Sequence, residues 1–180
     1  MGGEQQEECM IKTERLTLEP FDMKYLEAYH NNFNSEITKY QWPDPFETID
    51  DAKALLQDFI DEMNAGAGLC YSILNSDGEF VGSAEVHGLQ EECPEVGIWL
   101  VESQQRKGYA FEALSKVLDY VCTEYKKEVF FYEADVRNEG SNKLLNKLSE
   151  KFDIIEQGVE ELVTDSGKEL QLKGNVLKKK

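Results

Sequence analysis

The sequence predicts a single mixed α/β domain with a central, mostly antiparallel sheet of six to seven strands and about four helices. Three observations indicate this class. Short strand patterns alternate with helical ones in the order β-α-α-β-β-β-α-β-α-β-β. A long amphipathic helical pattern lies in the second half of the chain. No repeat or linker divides the 180 residues, which suffice for one core. We expect a disordered, polar tail over residues 1–9 and the domain over residues 10–180.

The first helices of the chain are marked by capping residues. Leu16 and Leu18 alternate within a strand predicted over residues 12–21. Asp22 is placed to cap a helix that reaches about Phe33, and Thr48 to cap a second helix that ends near Gly66. Between these helices lies a stiff, proline-containing loop over residues 42–45.

The second half of the chain shows the clearest periodicity. A hairpin is predicted over residues 69–74 and 80–89, followed by a fourth strand over residues 96–101. Apolar residues then repeat at helical spacing over residues 110–122. A fifth strand over residues 129–136, a helix over residues 138–148 and a closing hairpin over residues 154–163 and 169–177 complete the domain.

Composition excludes several classes of function. The net charge of −17 argues against a nucleic-acid partner and is compatible with a cationic substrate. No apolar run approaches the roughly 18 residues of a membrane span, so no membrane partner is expected. The four cysteines are widely spaced and form no C-x-x-C motif, which indicates neither a metal site nor a disulfide framework. We expect a reduced, cytoplasmic protein that is a monomer or a homodimer.

An anion seat is predicted where the fourth strand meets the long helix. The backbone N–H groups at the start of a helix have no partner within it, and the helix dipole favours negative charge there. Gly108 at this turn allows a ligand to approach the backbone closely. Arg106 and Lys107 add positive charge in an otherwise acidic chain.

This turn carries a family resemblance. Residues 105–110, QRKGYA, resemble the Q/R-x-x-G-x-G/A acyl-CoA pyrophosphate loop of the GCN5-related N-acetyltransferases (GNAT), and the flanking EVGIWL and FEA resemble the RimJ/RimL-type branch. Residues 138–148, NEGSNKLLNKL, resemble the family segment N-x-x-S-x-x-L-L-x-K-L, in the expected order. Residues 13–18, TERLTL, resemble the opening of that branch. In the family this segment is normally followed by Gly-Phe, whereas here residues 149–152, SEKF, follow it.

The resemblance implies acetyl-CoA as the acyl donor and no metal. The pyrophosphate would bind the loop, and the pantetheine arm would pair with the fourth strand where the sheet opens toward the fifth. Asn138 matches a pantetheine-binding position, although a helix cap is the alternative role. The implied cofactor-binding residues are Trp99, Leu100, Val101, Gln105, Arg106, Lys107, Gly108, Tyr109, Ala110, Phe111, Asn138 and Asn142.

Acetyl transfer to an amine also requires proton transfer. An alkylamine must lose a proton before it attacks, and Glu85, His87 and Glu95 are the candidate bases; His87 has a reference pKa suited to this role. Ser141 matches a position that supplies a hydroxyl to the leaving thiolate, with a helix-capping role as the alternative. Aromatic and imidazole side chains of the early helices are candidate acceptor contacts or core packing: Tyr25, Tyr29, His30, Tyr40 and Trp42.

Two functions follow from these residues. The first is an acetyl-CoA-dependent N-acetyltransferase that moves an acetyl group to a primary amine of a peptide N-terminus, a polyamine or another small amine by direct attack in a ternary complex. The alternative is a non-catalytic acyl-CoA-binding sensor or docking module, which would retain Gln105, Gly108 and Asn138. Turnover distinguishes the two.

Overall fold

An eight-stranded sheet with the order β1-β2-β3-β4-β5-β6-β8-β7 forms the centre of the computed structural model, which describes residues 10–180. Every neighbouring pair of strands is antiparallel except β5 and β6. The strands are β1 (Ile11–Lys12), β2 (Thr17–Pro20), β3 (Gly68–Leu74), β4 (Phe80–His87), β5 (Glu95–Leu100), β6 (Val129–Asp135), β7 (Phe152–Val163) and β8 (Glu169–Lys179). The predicted fold class is confirmed; the predicted tail over residues 1–9 lies outside the described residues.

The strand count differs from the prediction because the first predicted strand is two strands. Ile11 pairs with Leu18 across a tight turn, so β1 and β2 form a small hairpin. Thr13 closes this turn, since its N–H donates to the Leu16 carbonyl at 2.9 Å and its hydroxyl oxygen accepts from the Leu16 N–H at 2.9 Å. The alternation of Leu16 and Leu18 fits the second arm alone, which explains the miscount.

Four helices flank the sheet, as predicted: α1 (Leu26–Asn32), α2 (Ile49–Asn64), α3 (Tyr109–Glu124) and α4 (Glu139–Leu148). Thr48 and Asp51 form a reciprocal capping box at the start of α2. Asp22 caps a 3-10 turn over Met23–Tyr25 that leads into α1. A further 3-10 turn over Ile37–Tyr40 connects α1 to α2. None of the helices within residues 10–180 is long and apolar enough to cross a membrane.

The sheet has one core on each face. On the α3–α4 face, Val86, Val117 and Phe130 belong to the larger cluster of buried residues. On the α1–α2 face, Tyr29, Leu56 and Trp99 belong to a smaller, aromatic cluster. Side chains on a strand alternate between the two faces, so the register of each strand fixes which core a residue joins.

A gap opens in the sheet between β5 and β6. These parallel strands pair only at Glu95 and Phe131 among the described residues, whereas β5 pairs with β4 along its whole length. The chain leaves β5, passes through the short 3-10 turn Glu102–Gln104 and enters α3. The open part of the gap therefore lies next to the start of α3.

Candidate active site

A cavity of about 610 Å³ lies at the open end of β5. Three segments line it: the turn over residues 36–41, the stretch over residues 98–111, and the first turns of α4. The structure brings most of the predicted binding residues to this one cavity, namely Trp99, Leu100, Gln105, Arg106, Gly108, Tyr109, Ala110, Phe111, Asn138 and Ser141. Val101, Lys107, Asn142 and the three candidate bases do not line it.

The loop before α3 has the geometry of an anion seat. Gly108 is the N-cap of the helix with φ of 82°, a left-handed conformation that glycine adopts without strain. Arg106 also has a positive φ, of 63°. The N–H of Glu112 donates to the Gly108 carbonyl at 3.2 Å, so the N–H groups at the start of α3 lie before the first helical bond. Donors of this kind, with the helix dipole, fit a pyrophosphate.

The residues of β5 whose backbone groups face the gap are not all the predicted ones. The Val101 N–H donates to the Val81 carbonyl at 2.9 Å, so it is already paired with β4. Because backbone groups alternate in direction along an antiparallel strand, Trp99 also directs its N–H and carbonyl toward β4. Ile98 and Leu100 direct theirs toward the gap. The strand edge that an extended ligand arm can reach is therefore formed by Ile98 and Leu100, and Ile98 was missed.

Gln105 fixes the end of β5 to the loop. Its side-chain amide donates to the Leu100 carbonyl at 3.2 Å. This bond occupies one of the outward-facing carbonyls of β5. The glutamine of the motif therefore acts in this structure as a brace between strand and loop.

The start of α4 contributes Asn138 and Ser141. The Asn138 side-chain oxygen accepts from the Ser141 N–H at 3.1 Å, so Asn138 caps the helix while it lines the cavity. Asn142 instead donates its amide to the Asn138 carbonyl at 2.8 Å and to two carbonyls before the helix. It orders the backbone at this end of α4 and does not reach the cavity.

Tyr132 on β6 is a neighbour of Ser141 that sequence reasoning missed. The phenol is buried, with 3% exposure. Burial raises the pKa of Tyr132, and a hydrogen bond with Ser141 opposes that rise. The Ser141 hydroxyl thus has a buried, neutral phenol as partner. The cue in the sequence was the strand alternation that places Tyr132 on the same face as α4.

His87 is a cation at neutral pH, which differs from its predicted role as base. Its Nδ1 lies 2.8 Å from Glu62 Oε2 and its Nε2 lies 3.4 Å from Glu85 Oε2. The hydrogen bond with Glu85, and then the one with Glu62, raise the pKa of His87 to about 9 against an opposing effect of burial. An imidazolium has no lone pair for a substrate proton, so the reference pKa of histidine does not apply here.

The carboxylates of Glu85 and Glu95 lie on the α1–α2 face. Glu85 accepts from the Ser83 hydroxyl at 3.1 Å and from the Tyr29 hydroxyl at 3.5 Å, in addition to its contact with His87. Glu95 is exposed at the start of the gap, where it pairs with His87 and Phe131 across the sheet. Both residues lie on the side of the sheet opposite α3 and α4.

Glu133 is a second carboxylate that sequence reasoning missed. Glu95 pairs with Phe131 in parallel register, so two residues further along each strand Gly97 and Glu133 lie at the same level across the gap. A side chain added at Gly97 would meet no atom within 4 Å, which indicates open space there. Burial raises the pKa of Glu133, and the nearby charges of Glu95 and Glu160 raise it further. Only the strand register reveals this position.

Of the predicted acceptor contacts, Tyr40 alone lines the cavity, where the Arg137 guanidinium lies 5.1 Å from its ring centroid. Tyr29 is only 2% exposed and packs edge-on against Trp99 at 4.9 Å, so it is a core residue. Trp42 is 61% exposed and lies outside the cavity lining. Tyr25 and His30 do not line the cavity either.

The turn over residues 36–41 is held in place from the distant β7–β8 hairpin. Lys168 Nζ donates to the carbonyls of Thr38 at 2.7 Å and Gln41 at 2.8 Å, and lies 3.1 Å from Asp44 Oδ1. Asp44 also accepts from the Thr164 hydroxyl at 3.0 Å and the Ser166 N–H at 3.1 Å. Burial would raise the pKa of Asp44, but these bonds lower it to about 2.

Charge at the cavity contrasts with the acidic chain. Lys39, Arg106, Lys143 and Lys147 line the cavity together with Glu36, Glu102 and Glu139. Four cations thus outnumber three carboxylates here, in a protein with a net charge of −17. The distribution suits a ligand that carries phosphates. Within residues 10–180 no group of His, Cys, Asp or Glu side chains is arranged to hold a metal ion.

Comparisons with known structures agree on the fold. The ribosomal L7/L12 α-N-protein acetyltransferase RimL in complex with coenzyme A superposes with a TM-score of 0.78 at 18% identity, over 93% of this chain and 96% of that chain. Spermidine N-acetyltransferase from Vibrio cholerae, in complex with CoA and spermine, superposes with a TM-score of 0.75 at 22% identity, over 91% and 95% of the two chains. The resemblance to the RimJ/RimL-type branch is confirmed at the level of the fold.

Sequence comparisons identify the family. The uncharacterized N-acetyltransferase p20 of Bacillus licheniformis is 29% identical over 143 residues, which cover 77% of this chain and 80% of the relative. The uncharacterized N-acetyltransferase YoaA of Bacillus subtilis is 28% identical over 143 residues. The family model of the acetyltransferase (GNAT) domain matches residues 15–149, which is more than half of the chain. This chain therefore belongs to the GNAT acetyltransferase family and is an acyltransferase.

Proposed function

We propose that this protein is an acetyl-CoA-dependent N-acetyltransferase that moves an acetyl group to a primary amine in a ternary complex. One observation carries the proposal: a single cavity joins the anion seat before α3, the free edge of β5 and the hydroxyl of Ser141. A donor with a pyrophosphate at one end and a thioester at the other needs these three features in this order. The N-acetyltransferase names of the relatives support the same reaction class.

Each segment of the cavity has a separate task in this proposal. The N–H groups at the start of α3 bind the pyrophosphate, and the backbone of Ile98 and Leu100 holds the extended arm. Acetyl-CoA supplies an activated acyl group as its thioester. When the amine nitrogen attacks the thioester and the bond between carbon and sulfur breaks, the Ser141 hydroxyl is the proposed proton donor to the departing sulfur. Its hydrogen bond with the Tyr132 phenol supports this role by orienting the hydroxyl.

The amine is expected to approach from the α1–α2 face. Gly97 leaves open space there, Glu85 is its paired neighbour on β4, and Glu133 lies level with it across the gap. An ammonium group is attracted to such carboxylates, and a carboxylate with a raised pKa is suited to accept its proton. The acceptor class is therefore a cationic amine: a peptide N-terminus, a polyamine or another small amine. RimL and the spermidine enzyme, by their names, act on amines of these kinds.

The test combines binding with turnover. Acetyl-CoA at about 100 times its Kd should add roughly 2.7 kcal/mol to the free energy of unfolding, which corresponds to a rise in Tm of about 5–10 °C for a domain of this size. A panel of amines, scored by release of free thiol, then tests catalysis. Stabilisation without thiol release for any amine would favour the acyl-CoA sensor. Absence of stabilisation at saturating acetyl-CoA would contradict both functions.

A further inference from the structure

We propose that Arg15 is a positioning residue that holds the loop over residues 105–109 in the shape that binds the pyrophosphate. The inference rests on the proposed function and concerns a residue outside the cavity. Arg15 lies in the turn between β1 and β2, more than ninety residues before the loop in sequence. In the folded protein the two segments are adjacent, and the Arg15 side chain contacts both the loop and the first turn of α3.

One set of contacts fixes the guanidinium to α3. Arg15 Nε donates to Glu112 Oε2 at 2.7 Å, and Nη2 lies 2.6 Å from the same oxygen. The Arg15 backbone N–H and the Thr13 hydroxyl both donate to Glu112 Oε1 at 2.7 Å. Burial would raise the pKa of Glu112, but these bonds lower it. The carboxylate is thus fully engaged and sets the direction of the guanidinium.

A second set of contacts reaches the loop itself. Arg15 Nη1 donates to the Lys107 carbonyl at 2.8 Å. The guanidinium carbon lies 4.7 Å from the centroid of the Tyr109 ring. A Cβ atom at Gly108 would lie 3.3 Å from Arg15 Nη2, so the guanidinium passes directly beside the glycine. One side chain therefore contacts three consecutive residues of the anion seat.

The loop requires such a brace for two reasons. Arg106 has a left-handed φ of 63°, a conformation that is unfavourable for a non-glycine residue and persists only where the surroundings impose it. In addition, the peptide between Lys107 and Gly108 must turn its carbonyl away from an anion, because an oxygen facing a phosphate would repel it. The bond from Arg15 holds that carbonyl and so leaves the N–H groups directed to the ligand.

The guanidinium also keeps positive charge near the seat. Its side chain is 45% exposed, whereas that of Glu112 is 16% exposed. Arginine offers five N–H donors in a planar fork, and lysine offers a single point charge. Substitution by lysine therefore separates the two effects, since it retains the charge and loses the simultaneous contacts with Glu112 and the Lys107 carbonyl.

The experiment measures two dissociation constants for each variant. The first ligand is acetyl-CoA, followed by calorimetry. The second is S-acetyl-pantetheine, which has the thioester arm and no pyrophosphate and is followed by ligand-observed NMR because it is weak. The variants are Arg15→Met and Arg15→Lys. The matched control is Lys151→Met, which removes the ion pair at 2.8 Å between Lys151, just before β7, and Asp119 of α3, away from the loop.

Arg15→Met should raise the Kd for acetyl-CoA about tenfold or more, the usual scale for loss of hydrogen bonds to charged groups, and leave the Kd for S-acetyl-pantetheine unchanged. The Kd of Arg15→Lys for acetyl-CoA should lie between those of wild type and Arg15→Met. The control should have the wild-type Kd for both ligands. Equal loss of both ligands would indicate a merely structural role and overturn the proposal, as would wild-type affinity of Arg15→Met for acetyl-CoA.

Failure of the proposed function gives a different result. If wild-type protein binds no acetyl-CoA, the donor site itself is refuted and the role of Arg15 with it. If Arg15→Met does not fold, as judged by circular dichroism, Arg15→Lys and Glu112→Gln decide the question. Glu112→Gln weakens the same brace from the other partner, so acetyl-CoA affinity equal to wild type in both variants would overturn the proposal.

Discussion

His87 and Glu62 join β4 to α2 through a contact of 2.8 Å between Nδ1 and Oε2. With Glu85 on the other side of the ring, the imidazole is a cation between two carboxylates. The arrangement neutralises part of the acidic α1–α2 face and ties the second helix to the sheet beside the gap. It therefore stabilises the side of the sheet from which we propose that the amine approaches, where a carboxylate, and not His87, is the proposed base.

This cation predicts a loss of stability at alkaline pH. The pKa of His87 is raised to about 9 from 6.5, so its contribution is complete below pH 6.5 and is lost as the pH rises through 9. The free energy of unfolding of wild type should therefore fall by about 1–2 kcal/mol more than that of His87→Gln over this range, after allowance for partial exposure. Urea unfolding at successive pH values measures it. If the free energy of unfolding changes with pH in the same way for wild type and His87→Gln, the ion pair does not contribute to stability.

Ser141 predicts a selective loss of turnover. Ser141→Ala retains the backbone N–H that Asn138 accepts, so α4 should still form. The hydroxyl is absent, and we expect kcat to fall about tenfold or more while the Kd for acetyl-CoA changes little. Ser149→Ala removes an exposed serine hydroxyl at the other end of α4 and should leave kcat unchanged. Equal rates for Ser141→Ala and wild type would remove Ser141 from the catalytic role.

Gly108 predicts a loss of donor binding that exceeds its cost in stability. Alanine at a left-handed position costs about 1–2 kcal/mol, and here its Cβ would also lie 3.3 Å from Arg15 Nη2. Gly78 has a similar φ of 77° and open space around it, so Gly78→Ala is a matched control. Both variants should have a lower Tm than wild type, but only Gly108→Ala should bind acetyl-CoA more weakly, as measured by calorimetry. Similar affinities for the two variants would refute the anion seat.

Glu133 predicts the acid limb of the pH profile. If this carboxylate accepts the amine proton, Glu133→Gln should lower kcat by about a hundredfold. The charge of Glu160 raises the pKa of Glu133, so Glu160→Gln should shift the acid limb of kcat/KM to lower pH. Glu161→Gln, which alters the next residue on β7, is the control. An acid limb that does not move in Glu160→Gln would argue for Glu85 or Glu95 as the base.

Much of the fold followed from local patterns. The cap at Thr48 and the periodicity of residues 110–122 are local properties, and α2 and α3 formed as predicted. Asp22, by contrast, caps the 3-10 turn that precedes α1, and α1 itself has no side-chain cap. The turn at Thr13 was missed because both arms of a short hairpin fit one strand pattern. The polar residues Glu14 and Arg15, which follow Thr13, were the only sign of this turn in the sequence.

The site was predictable only in part. The loop around Gly108 and the start of α4 are continuous segments, so their residues could be recognised directly. The direction of backbone groups on β5 depends on pairing with Val81, and the position of Glu133 depends on register with Gly97. The charge of His87 depends first on Glu85, its neighbour on the same strand, and further on Glu62, which approaches from another element. Such contacts arise from tertiary packing and leave no local pattern.

The bonds from Lys168 to Thr38 and Gln41 have a consequence for the order of assembly. During synthesis, residues 36–44 emerge long before Lys168. The carbonyl of Thr38, in the turn that lines the cavity, therefore gains its hydrogen bond from Lys168 only after about 130 further residues have been added. The donor loop, by contrast, depends on Arg15, which is already present when Gly108 emerges. The wall of the cavity formed by residues 36–41 is therefore completed only when the β7–β8 hairpin docks, whereas the contacts of Arg15 with the loop around Gly108 involve residues that emerge earlier.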